Sequence, residues 1–120
     1  MKTQSCKAKG RRLQKAVVKK ILDAFPKLAT ADVRSTSMGC GGVDIQLSPL
    51  ASCFFPYAVE CKNVEGLKKV FDMWDQTLAN TGPNDHPLLV ISANRQPVLA
   101  VITIDELLSL WRSISEPRKV

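Results

Sequence analysis

Between Leu13 and Leu28 the apolar residues Leu13, Ala16, Val17, Ile21, Ala24 and Phe25 recur at helical spacing, while Arg12, Lys15, Lys19 and Asp23 fall on the opposite arc. The pattern predicts an amphipathic helix, basic on its outer face. It should end near Pro26, whose ring clashes with the carbonyl four residues back. At roughly 100° per residue, Gln14 lies inside the apolar arc, so its amide faces the body of the protein and needs a polar partner there.

The period then changes. Residues 32–37, rich in β-branched and hydroxyl side chains, suit a short strand, and the glycine-rich stretch 38–42 reads as a turn. In residues 43–47 strict alternation puts Val43, Ile45 and Leu47 on one face and Asp44 and Gln46 on the other, a second strand. Residues 48–55 read as a loop or short helix closed by Pro56. Residues 57–62 read as a third strand on which Glu60 and Lys62 share a face.

From Gly66 to Asn80, Leu67, Val70, Phe71, Trp74 and Leu78 form one apolar stripe opposite Lys69, Asp72 and Gln76, a second amphipathic helix ended by the 81–85 turn. Residues 87–92 and 97–103 are almost wholly apolar around the turn Asn94-Arg95-Gln96, which predicts a buried hairpin carrying the core strands. Thr103 and Glu106 have the spacing of a capping box and start a last helix with Leu107, Leu108 and Trp111 inward, followed by a loose tail at 116–120. The elements amount to a mixed α/β fold, with a central sheet of four or five strands flanked by helices.

At 120 residues the chain has the length of one domain, residues 1–120, comprising a basic N-terminal arm and helix over 1–28 and the body that follows. No apolar run approaches the ~20 residues that span a bilayer, and the first residues lack a signal-peptide core, so a reducing cytoplasm is expected. The four cysteines, Cys6, Cys40, Cys53 and Cys61, contain no CxxC pair and have only His86 to complete a tetrahedral site, which argues against a zinc finger. His86 itself lies in a polar turn and reads as a surface residue.

The charge of +6 is unevenly placed: residues 1–20 hold eight Lys and Arg and no acid, whereas the rest carries 9 basic and 11 acidic residues. Such an arm on a near-neutral body is an electrostatic footprint for a polyanion, since each cation near a phosphate releases condensed counterions. The plain alternative is a solvated helix face. An anionic membrane is a poorer fit because the helix lacks aromatic anchors.

The chemistry-bearing residues are Asp44, which follows the glycine turn, and Glu60-Cys61-Lys62 on the next strand. Two carboxylates with a backbone carbonyl, here that of Cys61, suit Mg²⁺, which takes oxygen ligands and keeps several waters. Lys62 beside Glu60 could orient an attacking water or stabilise charge in the transition state. A Glu-x-Lys pair is common, and the plain alternative is a surface ion pair on an edge strand. Its setting in an otherwise apolar run makes a purposeless pair costly.

The order Lys9-Gly10-Arg11-Arg12-Leu13-Gln14, Val33-Arg34-Ser35, Gly42-Val43-Asp44-Ile45 and Val59-Glu60-Cys61-Lys62 resembles the PD-(D/E)XK nuclease superfamily, in particular the archaeal-type Holliday junction resolvases and related small phage nucleases. The resemblance covers residues 9 to about 100. It implies a restriction-endonuclease-like fold and Mg²⁺-dependent (or Mn²⁺-substituted) cleavage of DNA, branched DNA in the first place, by a homodimer whose symmetry matches a four-way junction. It implies no nucleotide cofactor and no membrane, and a setting in DNA recombination in a bacterial, archaeal or virus-infected cell. The catalytic set implied is Asp44, Glu60, Lys62 and Gln14, with Asp44, Glu60 and the Cys61 carbonyl on the metal. Lys9, Arg11, Arg12, Lys15, Arg34, Ser35, Ser37, Asn63 and Gln76 are the residues expected on DNA. The family carries a glutamate where this chain has Gln14, whose amide can hold a metal-bound water but supplies no charge.

Three functions therefore stand open on the sequence: a four-way-junction resolvase, a nuclease for flaps, nicks or mismatches, and a non-catalytic DNA-binding module of the same fold.

Overall fold

A computed structural model describes residues 2–36 and 43–115, with side chains described for 8–36 and 43–114. The chain is mixed α/β: α1 (Lys2–Ala24), β1 (Val33–Ser35), β2 (Ile45–Leu47), α2 (Pro49–Phe54), α3 (Lys68–Ala79), β3 (Leu89–Ile91), β4 (Leu99–Val101) and α4 (Ile104–Ser115), with short 3-10 turns at Thr30–Asp32 and Glu65–Leu67. It divides into two compact units, Met1–Asn63 with Leu107–Val120, and Val64–Glu106. The glycine turn and the tail at 116–120 lie outside the described residues.

In the first unit α1 stops ahead of Pro26, after the Phe25 N–H has bonded to the Ile21 carbonyl at 3.1 Å. Its inner stripe is Gln14, Ile21 and Phe25, all buried, and the helix packs on β1. Ala16, expected on this stripe, is exposed. With the stripe centred on Gln14, residue 16 lies about 200° round the helix. The core is completed by Leu28, Val33, Ile45, Ala51, Phe55 and Leu108.

β1 and β2 pair antiparallel with Val33 opposite Leu47, Arg34 opposite Gln46 and Ser35 opposite Ile45. Ser48 then starts α2, its hydroxyl accepting from the Ala51 N–H at 3.0 Å with Pro49 in the first turn. The same hydroxyl donates to Asp32 Oδ1 at 2.7 Å, and Asp32 Oδ2 accepts from the Ala29 N–H at 2.8 Å. One carboxylate thus ties the entry of β1 to the start of α2. Beyond α2 runs a chain of ring contacts: Phe25 to Phe54 and Phe55, Phe55 to Tyr57 at 4.7 Å, and Tyr57 edge-on to Trp111 at 5.6 Å. The Trp111 indole N–H also donates to the Tyr57 hydroxyl at 2.7 Å.

Residues 57–62, expected as a third strand, contribute a single antiparallel bridge, Ile45 to Val59. The ladder stops because side chains take its next partners: the Cys61 N–H goes to the Asp44 carboxylate and the Val43 carbonyl to the Thr36 hydroxyl. The described residues accordingly form two two-stranded sheets, β1-β2 and β3-β4, where one sheet of four or five strands was expected.

In the second unit α3 packs against β3. The hairpin forms as predicted, Leu89 opposite Val101, Val90 opposite Ala100 and Ile91 opposite Leu99. Its burial differs from expectation. Leu88, Val90, Val98 and Leu99 are all more than half exposed, and no described residue from 64 to 106 is buried. Both faces of the hairpin are apolar, and within this unit α3 is the one long helix available to cover them. Phe71 and Leu78 at the edge of the α3 stripe are exposed as well. The last helix starts as predicted, with the Glu106 N–H bonded to Thr103 Oγ1 at 3.1 Å.

Candidate metal and nucleic-acid site

Asp44 is held by its backbone from both sides: its carbonyl accepts from the Thr36 N–H at 2.8 Å and its N–H donates to the Val59 carbonyl at 3.1 Å. Its side chain reaches along the 57–62 segment, where Oδ2 accepts from the Cys61 N–H at 2.6 Å. The carboxylate is therefore oriented by a charge-assisted bond to rigid backbone. Thr36, buried and donating to the Val43 carbonyl, fixes the chain just before it. Nothing in the local sequence marks Thr36 for this role, because its partner Val43 lies seven positions along the chain.

Glu60 and Lys62 are exposed and Cys61 is half-buried between them. Burial first, then the negative charges of Asp44 and Glu60, push the Cys61 thiol above its ordinary pKa. Asp44 and Glu60 thus both act on the same thiol. Among the described residues no group of three or more His, Cys, Asp or Glu side chains converges. Two carboxylates and a carbonyl match Mg²⁺, a hard cation that retains waters, better than a closed zinc site.

Beside this segment is a cleft of about 480 Å³ lined by Lys9, Arg12, Leu13 and Asn63. Lys9, Arg12 and Leu13 meet there because residues three and four apart share a helix face. Asn63 brings the end of the Glu60-Cys61-Lys62 run to the same place. Three residues expected on DNA, Lys9, Arg12 and Asn63, are thereby gathered.

No protein-family model, curated protein or solved structure matches this chain.

The remaining expected residues are placed as follows. Gln14 is 8% exposed, at the centre of the buried stripe of α1. Arg11 and Lys15 are exposed on α1 outside the cleft lining, and Arg34 and Ser35 are exposed on β1. Gln76 is exposed on α3, in the second unit. Ser37 lies outside the described residues. His86 is exposed, with Nδ1 3.3 Å from Glu106 Oε2, as fits a surface residue.

Proposed function

We propose that this chain is a Mg²⁺-dependent DNA endonuclease, most consistent with cutting at four-way junctions. The observation that carries the reading is the adjacency of the basic cleft of Lys9, Arg12 and Asn63 to the segment bearing Glu60 and anchoring Asp44. A phosphate held in that cleft stands beside two carboxylates, an arrangement that repels the phosphate unless a cation sits between them. Asp44 and Glu60, with the Cys61 carbonyl, would hold Mg²⁺. When bound, the ion polarises a phosphate oxygen and makes a water more acidic.

The chain's own residues do the rest. The Cys61 N–H fixes one Asp44 oxygen and so sets the orientation of the whole carboxylate. Lys62, on the Glu60 side of the segment, orients the attacking water and offsets charge that grows as water adds to phosphorus and the ester oxygen leaves. Lys9 and Arg12 hold the flanking phosphates, and Arg34 and Ser35 extend the contact along β1. A restriction-endonuclease-like sheet and a homodimer belong to this reading.

A second reading, a DNA-binding module without cleavage, is favoured by one observation: the neutral Gln14 in place of a carboxylate, buried on α1. Incubating the protein with a four-way junction, a flap and a linear duplex, each with and without Mg²⁺, separates the readings. Junction-selective, Mg²⁺-dependent cutting supports the first, cutting of flaps or nicks makes the chain a broader structure-specific nuclease, and binding without cutting supports the module.

A further inference from the structure

We infer that the β3–β4 hairpin is a second DNA contact, an arm whose tip, Asn94-Arg95-Gln96 with Pro97 and Val98, enters the minor groove. The inference rests on the DNA reading above, and it concerns residues that reading does not use.

The tip is built around an unusual backbone. The Gln96 N–H closes a tight turn on the Ala93 carbonyl at 3.1 Å, and Arg95 sits in it at φ 65°. A left-handed residue at this place in a turn favours Gly or Asn, because a Cβ there crowds the following carbonyl. Arg95 is the one described non-glycine residue in that region. A long cationic side chain held where a glycine would be more comfortable is a sign of use.

Its surroundings point to the ligand. Across residues 87–104 Arg95 is the only charged residue, so the arm carries a single cation at its end and no acid along its length. Asn94, Arg95 and Gln96 are all exposed. These three side-chain types are the ones that read the minor-groove edge and its width, and Pro is among the apolar wedges that enter between base steps beside them. Pro97 is exposed and Val98 is 68% exposed, directly after the polar triplet. Beneath them an apolar cleft of about 240 Å³, lined by Ile91, Ser92, Ala93, Gln96, Pro97 and Leu99, offers a wall against which a sugar ring can lie. The acids of this unit lie on its other elements, at Glu65, Asp72, Asp75, Asp85, Asp105 and Glu106.

The test is binding to a four-way junction and to an A·T-rich duplex carrying 2-aminopurine, in EDTA, with the full chain. Arg95→Gly and Arg95→Asn both suit the backbone at residue 95, so both should melt at or above the wild-type temperature yet bind roughly fivefold or more weakly, with the log K against log salt slope shallower by about 1. Netropsin, which fills the minor groove, should compete with wild type and much less with Arg95→Gly. Val98→Ser should keep the salt slope and lose the 2-aminopurine signal of unstacking. Wild-type binding by both Arg95 variants would reduce the tip to a turn, and a Val98→Ser chain that sediments as a smaller species would make the hairpin a contact between copies; either result overturns the arm. If Lys9→Ala/Arg12→Ala weakens binding while the Arg95 variants do not, the arm alone fails. If none of these changes matters, the DNA reading fails with it.

Discussion

The amide of Cys61 donates to Asp44 Oδ2 at 2.6 Å across a gap of seventeen positions in the chain. Through this bond the residue that ends the glycine turn and the segment that carries Glu60 become one rigid unit. It also explains why residues 57–62 stop pairing as a strand where they do: the N–H that would extend the ladder serves a carboxylate. A regular third strand at this point would leave Asp44 without its anchor.

Asp44→Asn and Glu60→Gln should each remove Mg²⁺-dependent cleavage while DNA affinity in EDTA stays within a few-fold of wild type. Asp44→Ala should in addition lower stability by about 1–2 kcal/mol, because it leaves the Cys61 N–H without its charged acceptor. Cleavage assays paired with urea melts check both. Near-native cutting by either isosteric variant would show that the metal ligands lie elsewhere.

Lys9→Ala/Arg12→Ala removes both cations of the cleft, and the slope of log K against log salt should become shallower by about 2 if each neutralises one phosphate. Arg11→Ala/Lys15→Ala, on the same helix outside the cleft lining, should change it less. Equal effects from the two pairs would return the helix to a diffuse solvated face.

Gln14→Glu places a carboxylate at the centre of the buried stripe of α1. In EDTA it should lower the melting temperature, because a charge is being buried without a partner. Added Mg²⁺ should recover part of that loss, and cleavage should equal or exceed wild type. The same deficit in both buffers would identify Gln14 as a packing residue.

The Asp32 carboxyl is held below its usual pKa first by the Ser48 hydroxyl and then by the Ala29 N–H. Because the folded pKa is the depressed one, this stabilisation is present above the unfolded value and is lost as pH falls through the folded one. Asp32→Asn should therefore be less stable than wild type at pH 7 and converge with it in acid, once the pH has fallen through the depressed folded pKa. Ser48→Ala loses the N-cap of α2 as well, costing about 1 kcal/mol at either pH.

Where structure depends on neighbours in the chain, the sequence was readable. Pro26 ends α1, the 48–55 stretch read as a loop or short helix holds α2, Thr103 and Glu106 start α4, and the Asn94-Arg95-Gln96 turn joins the hairpin, each through contacts within a few residues. The helical angle of Gln14 places it inward, where it is buried, while the same apolar arc takes in Ala16, which is exposed. What failed depended on distant partners. Alternation could not reveal that Asp44 would take the Cys61 N–H, nor that the apolar residues of β3 and β4 would find one helix to cover two faces. The sequence marks Lys9, Arg12 and Asn63 singly as DNA-binding candidates, but their meeting in one cleft brings together residues some fifty positions apart, which no local pattern encodes.

The bond between Tyr57 and Trp111 has a consequence for the order in which the molecule can be made. The second unit interrupts the first, so a ribosome emits Phe25, Phe55 and Tyr57 long before Leu108 and Trp111, the residues that close the same core. Until α4 emerges, the nascent first unit keeps an aromatic edge open, and the hairpin passes through synthesis with its own apolar faces bare. The chain therefore cannot finish its N-terminal part first and go on to the next. It has to wait for α4, and a nascent chain stalled anywhere between Asn63 and Leu107 presents both unsealed surfaces to chaperones at once.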